Sequence, residues 1–338
     1  LMLTVGVAAM ISLWVGGKAV IGEEMTLGSF VGFNGYLLML SWPMMGIGYV
    51  ANLTQKGQAA MSRIQEIFSA QAGISDNKEV VKAINELAGE IEFRGLGFTY
   101  PEAKQESLKD IRLKIPKGQI LAVVGVIGSG KSTLVQLIPR LYEASQDTLF
   151  IDGHSIREIP LSVLRENIGY VNQEPYLFSA TIRENITFGV NEVVDDEINE
   201  VVKKAGLLND MSRFPGGLDT LVGERGVSLS GGQVQRIALA RALLTRHKIL
   251  ILDDAFSSLD AETEEGILSN IKELTRGVTT VIVSHRLSAV RKADRIVVMN
   301  DGTVVEDGTH DELMWLNGEY ARSYKNQALA MEMEITLQ

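Results

Sequence analysis

One eight-residue string constrains the fold of this chain more than any other segment. Residues 125–132 read Gly-Val-Ile-Gly-Ser-Gly-Lys-Ser, directly after the apolar run Ile120–Val124 and directly before the helix-compatible residues 133–135. A glycine-rich turn between a strand and a helix lets backbone N–H groups approach phosphate oxygens, and the lysine adds a positive charge. The string therefore predicts an α/β domain that binds the phosphates of a nucleotide.

The sequence around this string alternates short apolar runs with helix-like stretches. Short apolar strands separated by helices are typical of a mostly parallel sheet that is covered on both faces. The predicted strands are Ile120–Val124, Thr148–Ile151, Ile168–Val171, Lys248–Leu252, Thr279–Val283 and Arg295–Met299.

A carboxylate at the end of one predicted strand is the candidate magnesium partner. Asp253 follows the apolar residues 249–252, and buried strands that end in aspartate are common in proteins of many kinds. Next to a phosphate-binding loop, however, such a carboxylate is suited to hold Mg²⁺, which keeps much of its water. In the same scheme Lys131 binds the outer phosphates and the Ser132 hydroxyl is a metal ligand.

The N-terminal part of the chain has a different composition. No charged residue occurs in Leu1–Gly17 or in Met25–Gln55. As a helix the second run would be about 45 Å long, which exceeds the roughly 30 Å hydrocarbon core of a bilayer. A buried core helix is the alternative, but such helices seldom stay uncharged for this length, so we predict membrane helices. Lys56 and Arg63 follow the second run, which indicates a cytoplasmic side there.

Composition excludes several other classes of function. The net charge is -10, so broad neutralisation of nucleic-acid phosphates is not expected, and we predict no nucleic-acid partner. The chain has no cysteine, which removes disulfides, thiol nucleophiles and cysteine-bound zinc. The four histidines (His154, His247, His285 and His310) have no metal-site spacing.

A second string identifies a family. Residues 229–233 read Leu-Ser-Gly-Gly-Gln and open the helix-like run Val234–Leu244. This string resembles the signature of ATP-binding cassette (ABC) proteins. The resemblance implies a phosphate-loop ATPase domain of the ABC type, in which a mostly parallel sheet is joined by an antiparallel β subdomain and a helical subdomain. The uncharged N-terminal runs then resemble the last membrane helices of an exporter-type half transporter.

The resemblance also implies roles for individual residues. Tyr100 is similar to the aromatic residue that stacks on adenine. Gln173 matches the glutamine that contacts the metal and links it to the membrane domain, and His285 matches the switch histidine at the terminal phosphate. Phosphate-loop contacts are expected from Gly125, Gly128, Ser129, Gly130, Lys131, Ser132 and Thr133, with Mg²⁺ held by Ser132, Gln173 and Asp253.

In this family two cassettes pair head to tail, so that each ATP lies between one phosphate loop and the partner's signature. The resemblance therefore implies that one set of residues acts in the partner's site. This set is Ser230, Gly231, Gly232, Gln233 and Asp260, the last in the D-loop Ser257–Asp260.

One position departs from the family pattern. Asp254 stands where hydrolysing members usually carry the glutamate that polarises the attacking water. Its side chain is one methylene shorter, and a misplacement of about 1 Å can cost about a hundredfold in rate. In one explanation, which we favour, the chain pairs with a different half transporter that holds the active site. In the other, Asp254 is an adequate base in a homodimer.

The resemblance implies an ATP- and Mg²⁺-dependent exporter of amphipathic small molecules, drugs or lipids. The expected location is the cytoplasmic membrane, with lipid around the helices and the nucleotide-binding domain in the cytosol. The rivals are a soluble cassette ATPase, which would lack the apolar runs, and a regulatory subunit that binds ATP without turnover. The predicted segments are membrane helices at 1–56, a helix extension and linker at 57–89, the nucleotide-binding domain at 90–326 and a tail at 327–338.

Overall fold

The chain forms two compact units, Leu1–Gly73 and Ile74–Gln338. The computed structural model describes residues 2–70, 72–76, 80–81, 83–190, 192–223, 229–269, 271–286 and 290–336. All candidate site residues named above lie within these ranges.

The first unit consists of two helices, α1 (Met2–Ile21) and α2 (Leu27–Ser69). The side chain of Thr26 caps α2 by accepting a hydrogen bond from the Ser29 N–H. The helix continues through Pro43 and over the amphipathic residues after Gln55, a length of roughly 65 Å. Both helices are long and apolar enough to cross a membrane.

A six-stranded sheet forms the centre of the second unit. The strand order is β10-β9-β3-β8-β7-β6, and the five strands from β9 to β6 are parallel while β10 is antiparallel to β9. The mostly parallel sheet is therefore confirmed. Its strands are β3 (Ile120–Gly125), β6 (Ile168–Val171), β7 (Ile249–Asp253), β8 (Thr279–Val283), β9 (Arg295–Asn300) and β10 (Thr303–Gly308).

One of the six strands expected in the parallel sheet lies elsewhere. The run Thr148–Ile151 forms a strand at Leu149–Ile151 that belongs to a second, antiparallel sheet of order β2-β1-β4-β5. The chain turns just before it at Asp147, whose φ of 55° is left-handed, and Ile151 pairs with Ile91. A short apolar run does not reveal its pairing partner. The strands of this sheet are β1 (Ile91–Phe98), β2 (Leu108–Ile115), β4 (Leu149–Ile151) and β5 (His154–Ser155).

Helices cover the central sheet, and both of its faces are buried. Along β3, Val123 belongs to the core shared with the antiparallel sheet and Val124 to the core under the helices, as strand alternation requires. Helices α5, α6 and α8 pack together as a helical subdomain. The helices are α3 (Lys131–Leu137), α4 (Leu161–Glu166), α5 (Ile182–Ile186), α6 (Asp195–Lys204), α7 (Leu208–Met211), α8 (Gly231–Leu244), α9 (Ala261–Ser269), α10 (Ile271–Leu274), α11 (His310–Leu316) and α12 (Glu319–Thr336).

Candidate functional site

The phosphate-binding string forms a tight loop between β3 and α3. Gly125, Gly128 and Gly130 all have positive φ values, of 149°, 83° and 97°. A Cβ atom at Gly125 would collide with the carbonyl oxygen of Met299 on the neighbouring strand β9. Gly130 caps α3 without any side-chain hydrogen bond to the first turn. The N–H groups at the start of α3 are therefore left without a side-chain cap, as an anion-binding turn requires.

Lys131 lies inside this loop. Its side chain is only 4% exposed, and its Nζ donates to the carbonyl oxygens of Gly125 and Val126 at 3.0 and 2.8 Å and to Ser129 Oγ at 3.3 Å. Burial lowers the pKa of Lys131, and the nearby carboxylates of Asp254 and Asp253 oppose that shift. The ammonium group is thus held by weak neutral acceptors, which phosphate oxygens can replace.

The candidate metal ligands meet at the carboxyl end of β7. Ser132 Oγ donates to Asp253 Oδ1 at 3.0 Å, and the hydroxyl of Tyr170 on β6 donates to Asp253 Oδ2 at 3.1 Å. Burial raises the pKa of Asp253, and it also raises the pKa of Tyr170, whose hydroxyl stays protonated. A hydroxyl and a carboxylate are the hard oxygen donors that Mg²⁺ prefers, so these residues fit the ion. Gln173 lies just beyond β6 and is exposed.

The adjacent carboxylate, Asp254, is directed to the switch histidine. Its backbone has a left-handed φ of 48°, which aspartate tolerates better than most residues. Asp254 Oδ1 accepts a hydrogen bond from the His285 backbone N–H at 3.3 Å, and Oδ2 lies 3.2 Å from His285 Nε2. Asp254 is buried and His285 is about two-fifths exposed. Both oxygens of this candidate base are therefore engaged by one residue.

Tyr100 lies beside the phosphate loop. Its hydroxyl shares a hydrogen bond with Thr133 Oγ1 at 3.0 Å and donates to Gln136 Oε1 at 3.4 Å. Phe98 and Tyr142 contact its ring edge-on, with centroids at 4.9 and 5.0 Å. Tyr100 is thus part of an aromatic cluster next to α3, where an adenine ring can stack.

The signature residues are organised at the start of α8. Ser230 and Gln233 form a reciprocal capping box, in which Ser230 Oγ accepts from the Gln233 N–H at 3.3 Å and Gln233 Oε1 accepts from the Ser230 N–H at 2.9 Å. Gln233 Nε2 also donates to the buried Asp210 at 2.9 Å. Gly231 and Gly232 follow in the first turn, next to Ser258 of the D-loop.

The D-loop is held from two directions. Gln235 of α8 donates to Ser257 Oγ and accepts from the Ser258 N–H, both at 2.9 Å. Arg286, which follows the switch histidine, donates to the Leu259 carbonyl oxygen at 3.1 Å and pairs with the buried Glu264. Burial raises the pKa of Glu264, and Arg286 opposes that shift. The D-loop therefore connects the signature helix with the His285 segment.

Asp260 ends the D-loop as a local helix cap. Its Oδ2 accepts a hydrogen bond from the Thr263 N–H at 2.9 Å, and its side chain is exposed. Bonds to Thr263 lower the pKa of Asp260. Its proposed action on a partner's nucleotide stays a prediction.

Sequence reasoning missed three residues of this region: Tyr170, Gln235 and Arg286. Tyr170 was hidden in an apolar strand; parallel pairing places it opposite Ile251, two residues before Asp253 and on the same face of the sheet. The partners of Gln235 and Arg286 include backbone groups of the D-loop, and such partners carry no sequence signal.

Comparisons with known proteins agree with this geometry. Residues 108–257 match the family model described as ABC transporter. The chain is 43% identical over 97% of its length to a probable multidrug resistance ABC transporter ATP-binding/permease protein of Bacillus subtilis, of which it covers 56%. It is 41% identical over 96% of its length to an ATP-dependent lipid A-core flippase of Syntrophus aciditrophicus, of which it covers 53%.

A solved structure shares the fold. A bacterial Atm1-family ABC exporter with ATP bound superposes with a TM-score of 0.76 at 31% identity, over 97% of this chain and 57% of that one. The chain thus spans about half the length of the relatives that it matches. The phosphate loop, the Leu-Ser-Gly-Gly-Gln helix start and these likenesses together show that residues 108–257 form a domain of the ABC transporter family, in a chain that is similar to ABC exporters over nearly all of its length.

Proposed function

We propose that this chain provides the ATP-hydrolysing domain and adjoining membrane helices of an exporter-type half transporter. The observation that carries the proposal is the convergence of Lys131 and Ser132 of the phosphate loop with the Asp253 carboxylate at the end of β7. The relatives' names specify multidrug resistance and lipid A-core flipping, which supports amphipathic molecules as the transported class.

In this mechanism ATP binds first to the chain's own residues. Lys131 exchanges its carbonyl contacts for the outer phosphates, the loop N–H groups bind phosphate oxygens, and the Tyr100 ring stacks on the adenine. Ser132, Asp253 and Gln173 would hold Mg²⁺, which would supply positive charge to neutralise the outer phosphates. Asp254 orients the attacking water, and His285 contacts the terminal phosphate.

The signature completes the site of a second cassette. Ser230, Gly231, Gly232, Gln233 and Asp260 act in trans, so nucleotide binding closes two cassettes on each other. Closure moves the attached membrane helices, and release of phosphate reopens the pair. The helices in residues 1–56 lie in the cytoplasmic membrane in contact with lipid, and the nucleotide-binding domain is in the cytosol.

We favour a different half transporter as the partner. Asp254 is short and both of its oxygens contact His285, which supports slow hydrolysis at this chain's own phosphate loop. A regulatory role, in which this loop binds ATP with little turnover, is the second candidate that the same contact favours. A homodimer in which Asp254 is the base is the remaining arrangement.

ATP binding by the full 338-residue chain in detergent tests the proposal. A fluorescent ATP analogue with Mg²⁺ is expected to bind to the wild type and to Lys117→Ala, whose lysine is exposed, but weakly to Lys131→Ala. Absence of binding to the wild type, or equal binding to both lysine variants, would contradict the proposed function.

A further inference from the structure

Tyr170 holds the carboxylate that we assign to the metal. Tyr170 pairs with Ile251 of the parallel strand β7, two positions before Asp253. The side chains of Tyr170, Ile251 and Asp253 therefore lie on one face of the sheet. The Tyr170 hydroxyl donates to Asp253 Oδ2 at 3.1 Å, while Ser132 Oγ donates to Oδ1 at 3.0 Å. Among the residues that the structure describes, each oxygen of Asp253 thus accepts from one side chain, and the two donors come from different elements.

Other groups fix the position of the Tyr170 hydroxyl. The ring packs on the core shared with the antiparallel sheet. The side chain of Gln136 on α3 lies next to the hydroxyl, and Gln136 Oε1 accepts a hydrogen bond from Tyr100 at 3.4 Å. Two hydrogen bonds thus flank this place, one from Tyr100 to Gln136 and one from Tyr170 to Asp253.

The arrangement has a physical consequence for the ion. Donors in the outer shell orient ligating carboxylates, and their removal typically lowers metal affinity on the order of 10- to 100-fold. Without Tyr170, Asp253 would keep only Ser132, and a carboxylate held at one oxygen can rotate about its terminal bond.

We propose that Tyr170 is a positioning residue for Mg²⁺, which holds Asp253 in its ligating orientation. The inference rests on the proposed function, because the ion is that of the ATP complex. The Tyr170 hydroxyl donates to Asp253, which we assign to the metal, so we expect its removal to act mainly on metal binding.

Metal affinity and nucleotide affinity can be measured separately on the full chain in detergent. Mn²⁺ replaces Mg²⁺ as the probe, free Mn²⁺ is counted by electron paramagnetic resonance with ATP present, and ATP affinity is measured again in EDTA. We expect Tyr170→Phe to weaken Mn²⁺ binding about tenfold and to leave the EDTA affinity within about twofold. Tyr176→Phe, which removes an exposed hydroxyl six residues along the chain, is the matched control and should match the wild type in both assays.

Two results would overturn the inference. One is unchanged Mn²⁺ binding by Tyr170→Phe. The other is an equal loss of Mn²⁺ affinity and of ATP affinity in EDTA, which would mean general damage to the loop. If Tyr170→Phe does not fold, Gln136→Met removes the amide beside the hydroxyl, together with the acceptor of the Tyr100 hydroxyl. It should weaken Mn²⁺ binding in the same direction by about threefold, and no change would also overturn the inference. If the wild type binds no ATP even in EDTA, the proposed function itself fails, which the wild-type data show without any variant.

Discussion

The phosphate loop and the signature both place serine and glycine at the start of a helix, but the two helix starts are built differently. Gly130 caps α3 in a left-handed conformation with no side-chain hydrogen bond. Ser230 caps α8 with a complete capping box from Gln233. An uncapped turn leaves N–H groups for a ligand, whereas a capping box already satisfies them. Similar residues therefore produce an open anion site in one place and a preformed surface in the other.

The side chains around the two helix starts also differ. Beside α3 lie Lys131 and the carboxylate of Asp253, which suit phosphate and a metal ion. Beside α8 lies the buried pair of Asp210 and Arg236, with Asp210 bonded to Gln233. Under the proposed function, we therefore expect the isolated chain to bind nucleotide through the phosphate loop, and the signature to act when a second cassette faces it.

Substitutions at the two helix starts give the largest expected contrast. Lys131→Ala should lower ATP hydrolysis by more than about a hundredfold and weaken ATP binding, because the charge on the outer phosphates is lost. Ser230→Ala should keep ATP binding by the isolated chain within about twofold, at a cost of about 1 kcal/mol in helix stability. Fluorescence titration and phosphate release measure both. Equal loss of binding in the two variants would remove the distinction between an open and a preformed helix start.

The next largest expected effect is on ATP hydrolysis at the phosphate loop, and Asp254→Glu tests it. The longer side chain should reach past His285 toward the water, and we expect hydrolysis by the chain to rise tenfold or more, the scale of a correctly placed base. Phosphate release per chain at high protein concentration is the measurement. Brisk hydrolysis by the wild type that Lys131→Ala abolishes would argue for a homodimer and against a distinct partner.

Arg286→Ala interrupts the connection between the two regions. The buried carboxylate of Glu264 would lose its cationic partner, and the Leu259 carbonyl oxygen would lose a donor. Because Arg286 is about two-fifths exposed, we expect a loss of about 1–2 kcal/mol in stability. Denaturant unfolding measures it, and Arg286→Lys, which keeps the charge, should recover part of the loss. If both variants unfold like the wild type, Arg286 contributes nothing to the D-loop.

Much of this architecture could be predicted from the sequence because the signals are local. The strand before residues 125–132 and the strand that ends at Asp253 are each a continuous apolar run, and both lie in the parallel sheet as expected. Long uncharged stretches likewise predicted α1 and α2. Local sequence patterns thus determine which helices and strands form and where the phosphate loop lies.

The remaining features depend on contacts between distant segments. Leu149–Ile151 is apolar like the central strands, but it joins the antiparallel sheet because its available partner is β1. Tyr170 contacts Asp253 across 83 residues of sequence, and Gln235 contacts the D-loop across 22 and 23. Neither contact follows from residue type or spacing, which is why these supporting residues were missed although the candidate site residues were predicted.

The smallest expected effect concerns His247, in the segment that joins the signature helix α8 to the metal strand β7. Burial lowers the pKa of His247, while a contact of Nδ1 with the Glu166 carbonyl oxygen at 3.4 Å opposes the shift. The unfolded chain therefore takes up a proton near pH 6.5, before the folded chain does, and stability falls as pH decreases through that value. The thermal midpoint of His247→Gln should fall less than that of the wild type between pH 7.5 and 5.5, by about 1–2 °C. The exposed His154→Gln is the control, and an equally steep fall in His247→Gln would show that this junction does not sense pH.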